Sequence, residues 1–341
     1  MDRVYICYTF YQVYITIVKE IKNRKKADII LATNIPDVDV LKSSLKKSEI
    51  FNNIMIFPEL ELKEKFVKDN IEYKLFRGNK LIKLVEDKFK LNNYKDIYIY
   101  NDWTIFGCYL MDKKIRYHLI EDGLDAFYYL KGNLNLINES YFNKVFYPNL
   151  KQKIKNVIKK ILNCGYEYFG NSKYAIDIEV NDISKIFIPH DKVIEVPKKE
   201  LFSRLTIKEK NLIYEIFMNE TVEIDDNEKK LLLLTQPLFV DKMISREEYQ
   251  IKAYKDILNK YGKNYRIYIK PHPRDCTDYK EKLKEYKISI INKNMPTEIL
   301  DYNKDVKFDL GVTITSSSIR GMNCIKEKIE LGFDYLNNYK D

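Results

Sequence analysis

Short apolar runs rich in β-branched residues alternate along the chain with longer segments in which apolar positions recur among lysines at helical spacing. The short runs predict strands and the longer segments predict amphipathic helices. Alternation of strand and helix is typical of βαβ units, which build parallel sheets covered on both faces. The predicted strands are Val4–Tyr8, Asp28–Ala32, Ile54–Phe57, Asp96–Tyr100, Ile115–Ile120, Lys230–Thr235, Tyr265–Lys270, Ser289–Ile291 and Leu310–Thr315.

The helical patterns lie between these strands. The clearest cover Leu81–Leu91, Glu247–Tyr261 and Thr277–Tyr286, and another helix is expected from about Tyr11. The strands fall into two sets, which predicts an α/β fold of two Rossmann-like domains with a cleft between them, the GT-B arrangement. The predicted boundaries are an N-terminal domain with a helical extension at 1–190, a loop-rich linker at 191–228, a C-terminal domain at 229–325 and a tail at 326–341. Within the helical extension, Asn133–Asn163 is expected to be helical and basic.

Composition narrows the class of protein. The 341 residues are 45% hydrophobic and 32% charged, as in a globular protein with a core. The net charge of +9 suits an anionic partner such as a nucleotide or a phospholipid surface, and no nucleic-acid-binding motif is present. No stretch is apolar enough to predict a membrane span. Five cysteines without a CxxC pair predict a reduced, cytoplasmic protein.

Polar side chains follow the ends of the predicted strands, where α/β sheets bind their ligands. The candidate residues at these ends, together with the glycine and prolines that shape the turns, are Gln12, Asn101, Asp102, Glu121, Asp122, Gly123, Gln236, Asp241, Lys270, Pro271, His272, Pro273, Ser316 and Ser317. Each residue alone is weak evidence, but their recurrence at strand ends predicts a site.

Three clusters carry recognisable chemistry. A carboxylate of Glu121-Asp122-Gly123 can serve as a general base, although a solvated turn also fits. His272 lies between two prolines and near basic residues, which suits a phosphate leaving group, and a plain surface turn is the alternative. Serines 316 and 317 precede a predicted helix, where hydroxyl and N–H groups cradle phosphate or simply cap the helix.

Glu298 begins a short predicted helix after Met295 and Pro296. Its carboxylate is suited to binding the two hydroxyls of a ribose, or to stabilising the helix start. No P-loop, GxGxxG or zinc motif occurs. Asp37-Val38-Asp39 is formally a DxD sequence but falls at a predicted helix start. We therefore expect no metal site.

The ordered set of motifs resembles glycosyltransferase family 52, the bacterial lipooligosaccharide sialyltransferases. An acid–acid–Gly motif is followed by His-Pro and then by a serine cluster, as in bacterial sialyltransferases. The matching segments extend from about residue 7 to 320 and are CYTFYQ, HLIEDGL, LLLTQPL, IKPHPRD, MPTEIL and TSSSI. The opening segment lacks the proline usual in the family's Thr-x-x-Gln region, so the acceptor side is less well matched than the donor side.

The resemblance implies an inverting, metal-independent GT-B enzyme that needs no cofactor. Its donor would be CMP-sialic acid, bound by the C-terminal domain. Its acceptor would be a terminal galactose-type hydroxyl of a lipooligosaccharide or capsular glycan, on the N-terminal side. The family forms dimers, so a homodimer is expected.

The resemblance also implies residue roles. His272 would meet the CMP phosphate and assist its departure, with Ser316 and Ser317 on the same phosphate. Glu298 would bind the ribose, and the backbone at Lys270–Pro271 would lie near the cytosine. The general base would be Asp122 of the acid–acid–Gly motif or Asp241, which follows LLLTQPL.

Other functions stay open. A transferase acting on a CDP-alcohol such as CDP-glycerol also carries a His-Pro and a serine pair, and a GT-B enzyme with another sugar nucleotide is a further alternative. A non-catalytic basic protein that binds nucleic acid or membrane is a third. For the favoured enzyme, the basic surface suggests peripheral contact with the anionic inner face of the cytoplasmic membrane, where lipid-linked acceptors lie.

Overall fold

The computed structural model describes residues 2–62, 83–102, 104–122, 150–151, 153–154, 157, 170, 172–185, 191–217, 228–302 and 306–339. Gly123 and most of the predicted basic helix Asn133–Asn163 lie outside the described residues. The chain forms two compact units, Met1–Thr206 and Ile207–Asp341. Each unit is built on a parallel β-sheet with helices between successive strands.

The first unit contains a seven-stranded sheet in the order β3-β2-β1-β4-β5-β6-β7. Every pair of neighbouring strands is parallel. The central strands are buried apolar runs, as expected for a parallel sheet covered on both faces. The strands are β1 (Arg3–Cys7), β2 (Asp28–Ala32), β3 (Ile54–Phe57), β4 (Asp96–Ile99), β5 (Tyr117–Ile120), β6 (Ala175–Val180) and β7 (Val193–Glu195).

The residues that follow β1 and β4 are held in position by the first turns of two helices. Helix Phe10–Glu20 begins where Thr9 Oγ1 accepts a hydrogen bond from Gln12 N at 3.2 Å. Helix Ile105–Asp112 begins after β4 with Thr104 as its N-cap. A Cβ atom at Gly107 would come within 2.1 Å of the Asp102 carbonyl oxygen, so glycine is required for this helix to start so close to the strand end. A third helix, Val38–Ser48, follows β2.

The second unit contains a five-stranded parallel sheet in the order β10-β9-β8-β11-β12. Leu234 is in register with Lys270 on one side and with Thr313 on the other, so three strands end at the same level. Helix Glu247–Tyr261 packs its buried face into the core of this unit. The strands are β8 (Lys230–Leu234), β9 (Arg266–Lys270), β10 (Ile288–Ile290), β11 (Phe308–Thr313) and β12 (Ile325–Glu330).

Several elements differ from the sequence prediction. The segment predicted as a loop-rich linker contains β7 and the helices Lys198–Ser203 and Ile207–Phe217. The segment predicted as a tail contributes most of β12, an edge strand whose charged residues are exposed and hide its strand pattern. In place of a helix over Thr277–Tyr286 there is only the short helix Tyr279–Lys282. Strand β6 was not predicted, because Asp177 and Glu179 interrupt its apolar run.

Within the described part of the chain, no helix combines the length and the apolar character needed to cross a bilayer.

Candidate active site

In the first unit, β1, β4, β5 and β6 are neighbours and end at one edge of the sheet. Polar residues follow each of them: Gln12 after β1, Asn101 after β4, Asp122 after β5 and Asn181 after β6. These polar residues therefore lie at the carboxyl edge of the first sheet, as the strand pattern predicts.

Glu121 holds the end of β5 in place. It is fully buried, and its Oε2 accepts a hydrogen bond from Asn181 N at 2.7 Å. The Lys198 ammonium lies 3.9 Å from the same oxygen and donates to the Glu121 carbonyl at 3.3 Å. These contacts tie β5 to the segment that follows β6. Glu121 thus has a structural role, and its predicted contact with substrate stays a prediction.

Asp122, the neighbouring carboxylate, is half-buried and oriented by an amide. Asn101 Nδ2 donates to Asp122 Oδ2 at 2.9 Å. Asp102, next to Asn101, is turned inward and accepts hydrogen bonds from Tyr117 Oη at 3.2 Å and Gly170 N at 2.8 Å. In each adjacent pair of polar residues, one side chain supports the fold and the other remains at the sheet edge.

Gln12 is fully buried and shapes the turn after β1. Its Oε1 accepts a hydrogen bond from Tyr8 N at 2.6 Å. Its Nε2, like Asn101 Oδ1, has no hydrogen-bond partner among the described residues. The predicted substrate contact of Gln12 therefore stays a prediction, and its visible role is to close this turn.

At the carboxyl edge of the second sheet, Lys270 ends β9 with its side chain buried. The ammonium donates to the carbonyls of Pro271 and Lys293, each at 2.9 Å. Burial lowers the pKa of Lys270 to about 7, against the opposing effect of the Glu298 carboxylate. Glu298 itself lies in the short helix Thr297–Tyr302, as predicted. Lys270 thereby holds the Pro271 carbonyl, next to His272, in a fixed position.

His272 is held as a neutral hydrogen-bond donor. Its Nδ1 accepts a hydrogen bond from Arg274 N at 3.1 Å, which places the proton of the neutral ring on Nε2. Burial, together with the Arg274 and Lys270 charges, lowers the pKa of His272 to about 4, although Asp241 and Asp275 act in the opposite direction. At neutral pH the ring is uncharged and its Nε2–H can donate.

Asp241 is paired with Arg274. Two guanidinium nitrogens of Arg274 donate to the two carboxylate oxygens of Asp241, and the Nη2–Oδ2 distance is 2.9 Å. The pair connects the segment after β8 with the turn that contains His272 and Pro273. The structure therefore brings Asp241 and His272, two predicted catalytic residues, into one cluster.

The serine cluster follows β11. Ser316 N donates to Thr313 Oγ1 at 3.1 Å, and the hydroxyls of Ser316 and Ser318 lie 2.8 Å apart. Ser317 precedes the short helix Ser318–Gly321, but its side chain makes no capping hydrogen bond. Simple N-capping by Ser317 is thus not what the structure shows.

The Gln236 backbone is fixed to helix Glu247–Tyr261 at the same edge. Gln236 N donates to Tyr254 Oη at 2.7 Å, and Tyr254 Oη donates to the Gln236 carbonyl at 3.2 Å. The sequence placed Arg274 among the basic residues near His272 but did not predict its pairing with Asp241, and it did not point to the supporting residues Asp275 and Gln250. Arg274 and Asp275 stand in the segment IKPHPRD, but only the fold distinguishes the exposed guanidinium from the buried carboxylate.

Among the residues that the structure describes, no three His, Cys, Asp or Glu side chains gather as metal ligands.

Two Rossmann-like parallel sheets, with polar groups at their carboxyl edges, are the architecture of the GT-B fold class. Residues 47–331 match the model of glycosyltransferase family 52. The chain belongs to this family, as its motifs predicted, and it is an enzyme that transfers a sugar from a sugar-nucleotide donor to a glycan acceptor.

A Haemophilus influenzae protein described as uncharacterized is 26% identical over 249 residues, which is 72% of this chain and 71% of that one. The GT-B domain of a sialyltransferase from Photobacterium damselae is similar with a TM-score of 0.51 and 13% identity, over 96% of this chain and 89% of that one. That likeness confirms the predicted GT-B fold. A UDP-GlcNAc 2-epimerase from Neisseria meningitidis is similar with a TM-score of 0.47 and 14% identity, over 93% of this chain and 78% of that one.

The electrostatics of the His272 turn give a direct prediction. NMR titration of the imidazole should show a pKa near 4 for His272, and assignment is simple because the chain has three histidines. Arg274→Gln should raise that pKa, because it removes a nearby positive charge and leaves the Asp241 carboxylate unpaired. Lys287→Gln, which breaks an exposed ion pair with Glu228 in the same unit, should leave it unchanged. Titration of His272 near its ordinary pKa of 6.5 would contradict the described environment.

Proposed function

We propose that the protein transfers sialic acid from CMP-sialic acid, with inversion, to a terminal galactose-type hydroxyl of a lipooligosaccharide or capsular glycan. Membership of family 52 and the fold shared with a solved sialyltransferase support the proposal. The observation that carries it is the neutral, Nε2-protonated His272 beside Lys270 and Arg274 at the carboxyl edge of the second sheet. That arrangement suits a departing phosphate.

On the donor side, the proposal assigns the departing CMP to this edge. As the bond to the sugar breaks, negative charge develops on a phosphate oxygen, and the His272 Nε2–H donates a hydrogen bond to it. The hydroxyls of Ser316 and Ser317 serve the same phosphate. Glu298 binds the ribose hydroxyls, and the Pro271 carbonyl, held by the Lys270 ammonium, lies by the cytosine. Gln236 and Pro273 complete the proposed binding segment.

A general base must remove the proton of the acceptor hydroxyl, and Asp122 is the better candidate. Among the residues that the structure describes, its side-chain hydrogen bond comes from the neutral amide of Asn101, which orients the carboxylate without pairing it with a cation. Asp241 instead accepts hydrogen bonds from the Arg274 guanidinium on both carboxylate oxygens, so both oxygens are already engaged by a cation. We therefore assign Asp241 to holding Arg274 beside His272.

No metal or cofactor is required in this proposal. CMP leaves with a single phosphate, so there is no diphosphate for a metal ion to bridge, and the groups assigned to that phosphate are the His272 Nε2–H and the hydroxyls of Ser316 and Ser317. The homodimer and the cytoplasmic location stay predictions.

An assay of CMP release tests the proposed function. With CMP-sialic acid, a lactose-type acceptor and EDTA, release should depend on the acceptor, because transfer consumes both substrates. His272→Ala should lower kcat by about 10²–10⁴, since it removes the group that assists departure. His118→Ala is the matched control, because that imidazole stacks on Tyr98 and pairs with Asp177 within the first unit.

Parallel assays separate the alternatives. Release of CMP from CDP-glycerol, with none from CMP-sialic acid, would replace the proposal by a CDP-alcohol transferase. Absence of turnover together with absence of CMP binding in calorimetry would favour another sugar nucleotide. Activity that vanishes in EDTA would overturn the metal-independent mechanism.

The two candidate bases can be distinguished by substitution. Asp122→Asn should lower kcat by about 10²–10⁴ while leaving CMP binding intact, because a base acts on the acceptor. Asp241→Asn should lower kcat by less than about tenfold, since an amide keeps part of the contact with Arg274. The reverse order of the two effects would assign the base to Asp241.

Peripheral contact with an anionic membrane is proposed as well. The described helical residues Leu150, Ile154 and Val157 recur at helical spacing and are exposed, and Lys151 and Lys153 are exposed among them. Vesicles with anionic lipid should bind the protein at low salt and release it at high salt. The double variant Lys151→Glu, Lys153→Glu should bind at least about tenfold less, because each lysine contributes about 1 kcal/mol. Equal binding to neutral vesicles would refute the electrostatic contact.

A further inference from the structure

The second unit contains a buried carboxylate that none of the roles above uses. Asp275 is 2% exposed, and it lies three residues after His272. Its Oδ2 accepts hydrogen bonds from Thr235 Oγ1 at 3.0 Å and Tyr279 Oη at 2.6 Å. Its Oδ1 accepts from Thr277 N at 3.1 Å and from Gln250 Nε2 at 3.3 Å. Four donors on three segments therefore converge on one side chain.

These donors come from three elements that surround the donor edge. Thr235 directly follows β8 and precedes Gln236, and Gln250 belongs to helix Glu247–Tyr261. The Gln250 amide also binds the segment that leads to Asp241, because its Oε1 accepts a hydrogen bond from Phe239 N at 2.9 Å. The carboxylate thus links the segments after β8 and β9 to each other and to the helix behind them.

Backbone hydrogen bonds connect Asp275 and Thr235 to the turn that contains His272. Asp275 N donates to the His272 carbonyl at 2.9 Å, and Thr235 N donates to the Lys270 carbonyl at 3.2 Å. With Arg274 N on the imidazole, the turn from Lys270 to Asp275 is fixed at both ends and in the middle. A rigid turn matters because a displacement of about 1 Å at a reacting group costs roughly 10² in rate.

The buried Asp275 carboxylate also requires all of its hydrogen-bond donors. A buried carboxylate that loses one donor keeps the full cost of removing its charge from water. The network therefore favours one arrangement, with all four donors in place, over looser ones.

We propose that Asp275 is a positioning residue, which fixes the turn containing His272 against the segment after β8 and so holds the imidazole Nε2–H in its reactive orientation. The inference rests on the proposed role of His272 in donor departure. It adds a group that touches no substrate and acts through the backbone. The expected consequence is a loss in kcat larger than any loss in donor binding, because positioning matters most when the phosphate charge develops.

Thr235→Val tests the proposal with the smallest change. Valine has nearly the shape of threonine but removes the hydroxyl that joins the segment after β8 to Asp275. We expect kcat for CMP release to fall by about tenfold or more, with the dissociation constant for CMP changed less than threefold. Thr235→Ser, which keeps the hydroxyl, should retain most of the activity. Tyr279→Phe removes the second donor to the same oxygen and should act in the same direction.

A control variant and a second measurement distinguish an effect on the position of the His272 ring from a general loss of protein stability. Asp256→Asn weakens another tyrosine–carboxylate hydrogen bond of the same unit, that of Tyr339 Oη at 2.8 Å, and should leave kcat unchanged even where it lowers Tm. The ¹⁵N shifts of the His272 ring should show the Nε2–H tautomer in the parent protein and a mixture of tautomers in Thr235→Val.

The readouts distinguish the possible failures. Parent kcat and an unaltered His272 tautomer in both Thr235→Val and Tyr279→Phe would overturn the positioning role. If the parent protein releases no CMP from CMP-sialic acid, the proposed function fails, and the tautomer measurement still decides whether Asp275 orders the imidazole.

Discussion

Parallel strand pairing is the constraint on which the rest of this structure depends. In both sheets every described pair of neighbouring strands is parallel. Within each sheet, the residues that follow the strands therefore lie at the same edge of that sheet. The register that aligns Lys270, Leu234 and Thr313 brings the His-Pro turn and the serine cluster to the two sides of Gln236, although they are separated by more than 40 residues of sequence. Because of that register, the His-Pro turn and the serine cluster lie at the same edge of the second sheet.

Burial then decides what each polar residue at an edge can do. Lys270 and His272 both have a lowered pKa, mainly because the charged form is desolvated. For His272 the neighbouring cations add to this effect, so the ring remains a neutral donor where an exposed imidazole would be partly charged. A neutral donor beside the Arg274 guanidinium can stabilise a phosphate as it departs without itself carrying a charge into the buried turn.

The sequence was sufficient for the strands with uninterrupted apolar runs. Asp28–Ala32 and Ile54–Phe57 have the predicted bounds, and Lys230–Leu234 differs by one residue, because buried parallel strands are almost wholly apolar. It was insufficient for β6 and β12, whose acidic and basic residues mask the strand pattern. Motif order was enough to identify the family, but the ion pair between Asp241 and Arg274 depends on tertiary contacts that no local pattern encodes.

The carboxylates show why residue type alone could not assign roles. Glu121, Asp102 and Asp275 are all buried and accept hydrogen bonds from backbone N–H groups, hydroxyls or amides, so their charges hold segments together. Asp122 follows one of these, Glu121, but it is only half-buried, and its Oδ2 accepts a hydrogen bond from the side-chain amide of Asn101. In adjacent acidic residues on a strand end, side chains point in opposite directions, so one must face inward where its charge requires donors. The inward residue fixes the backbone, and this fixed backbone gives the outward carboxylate a defined direction.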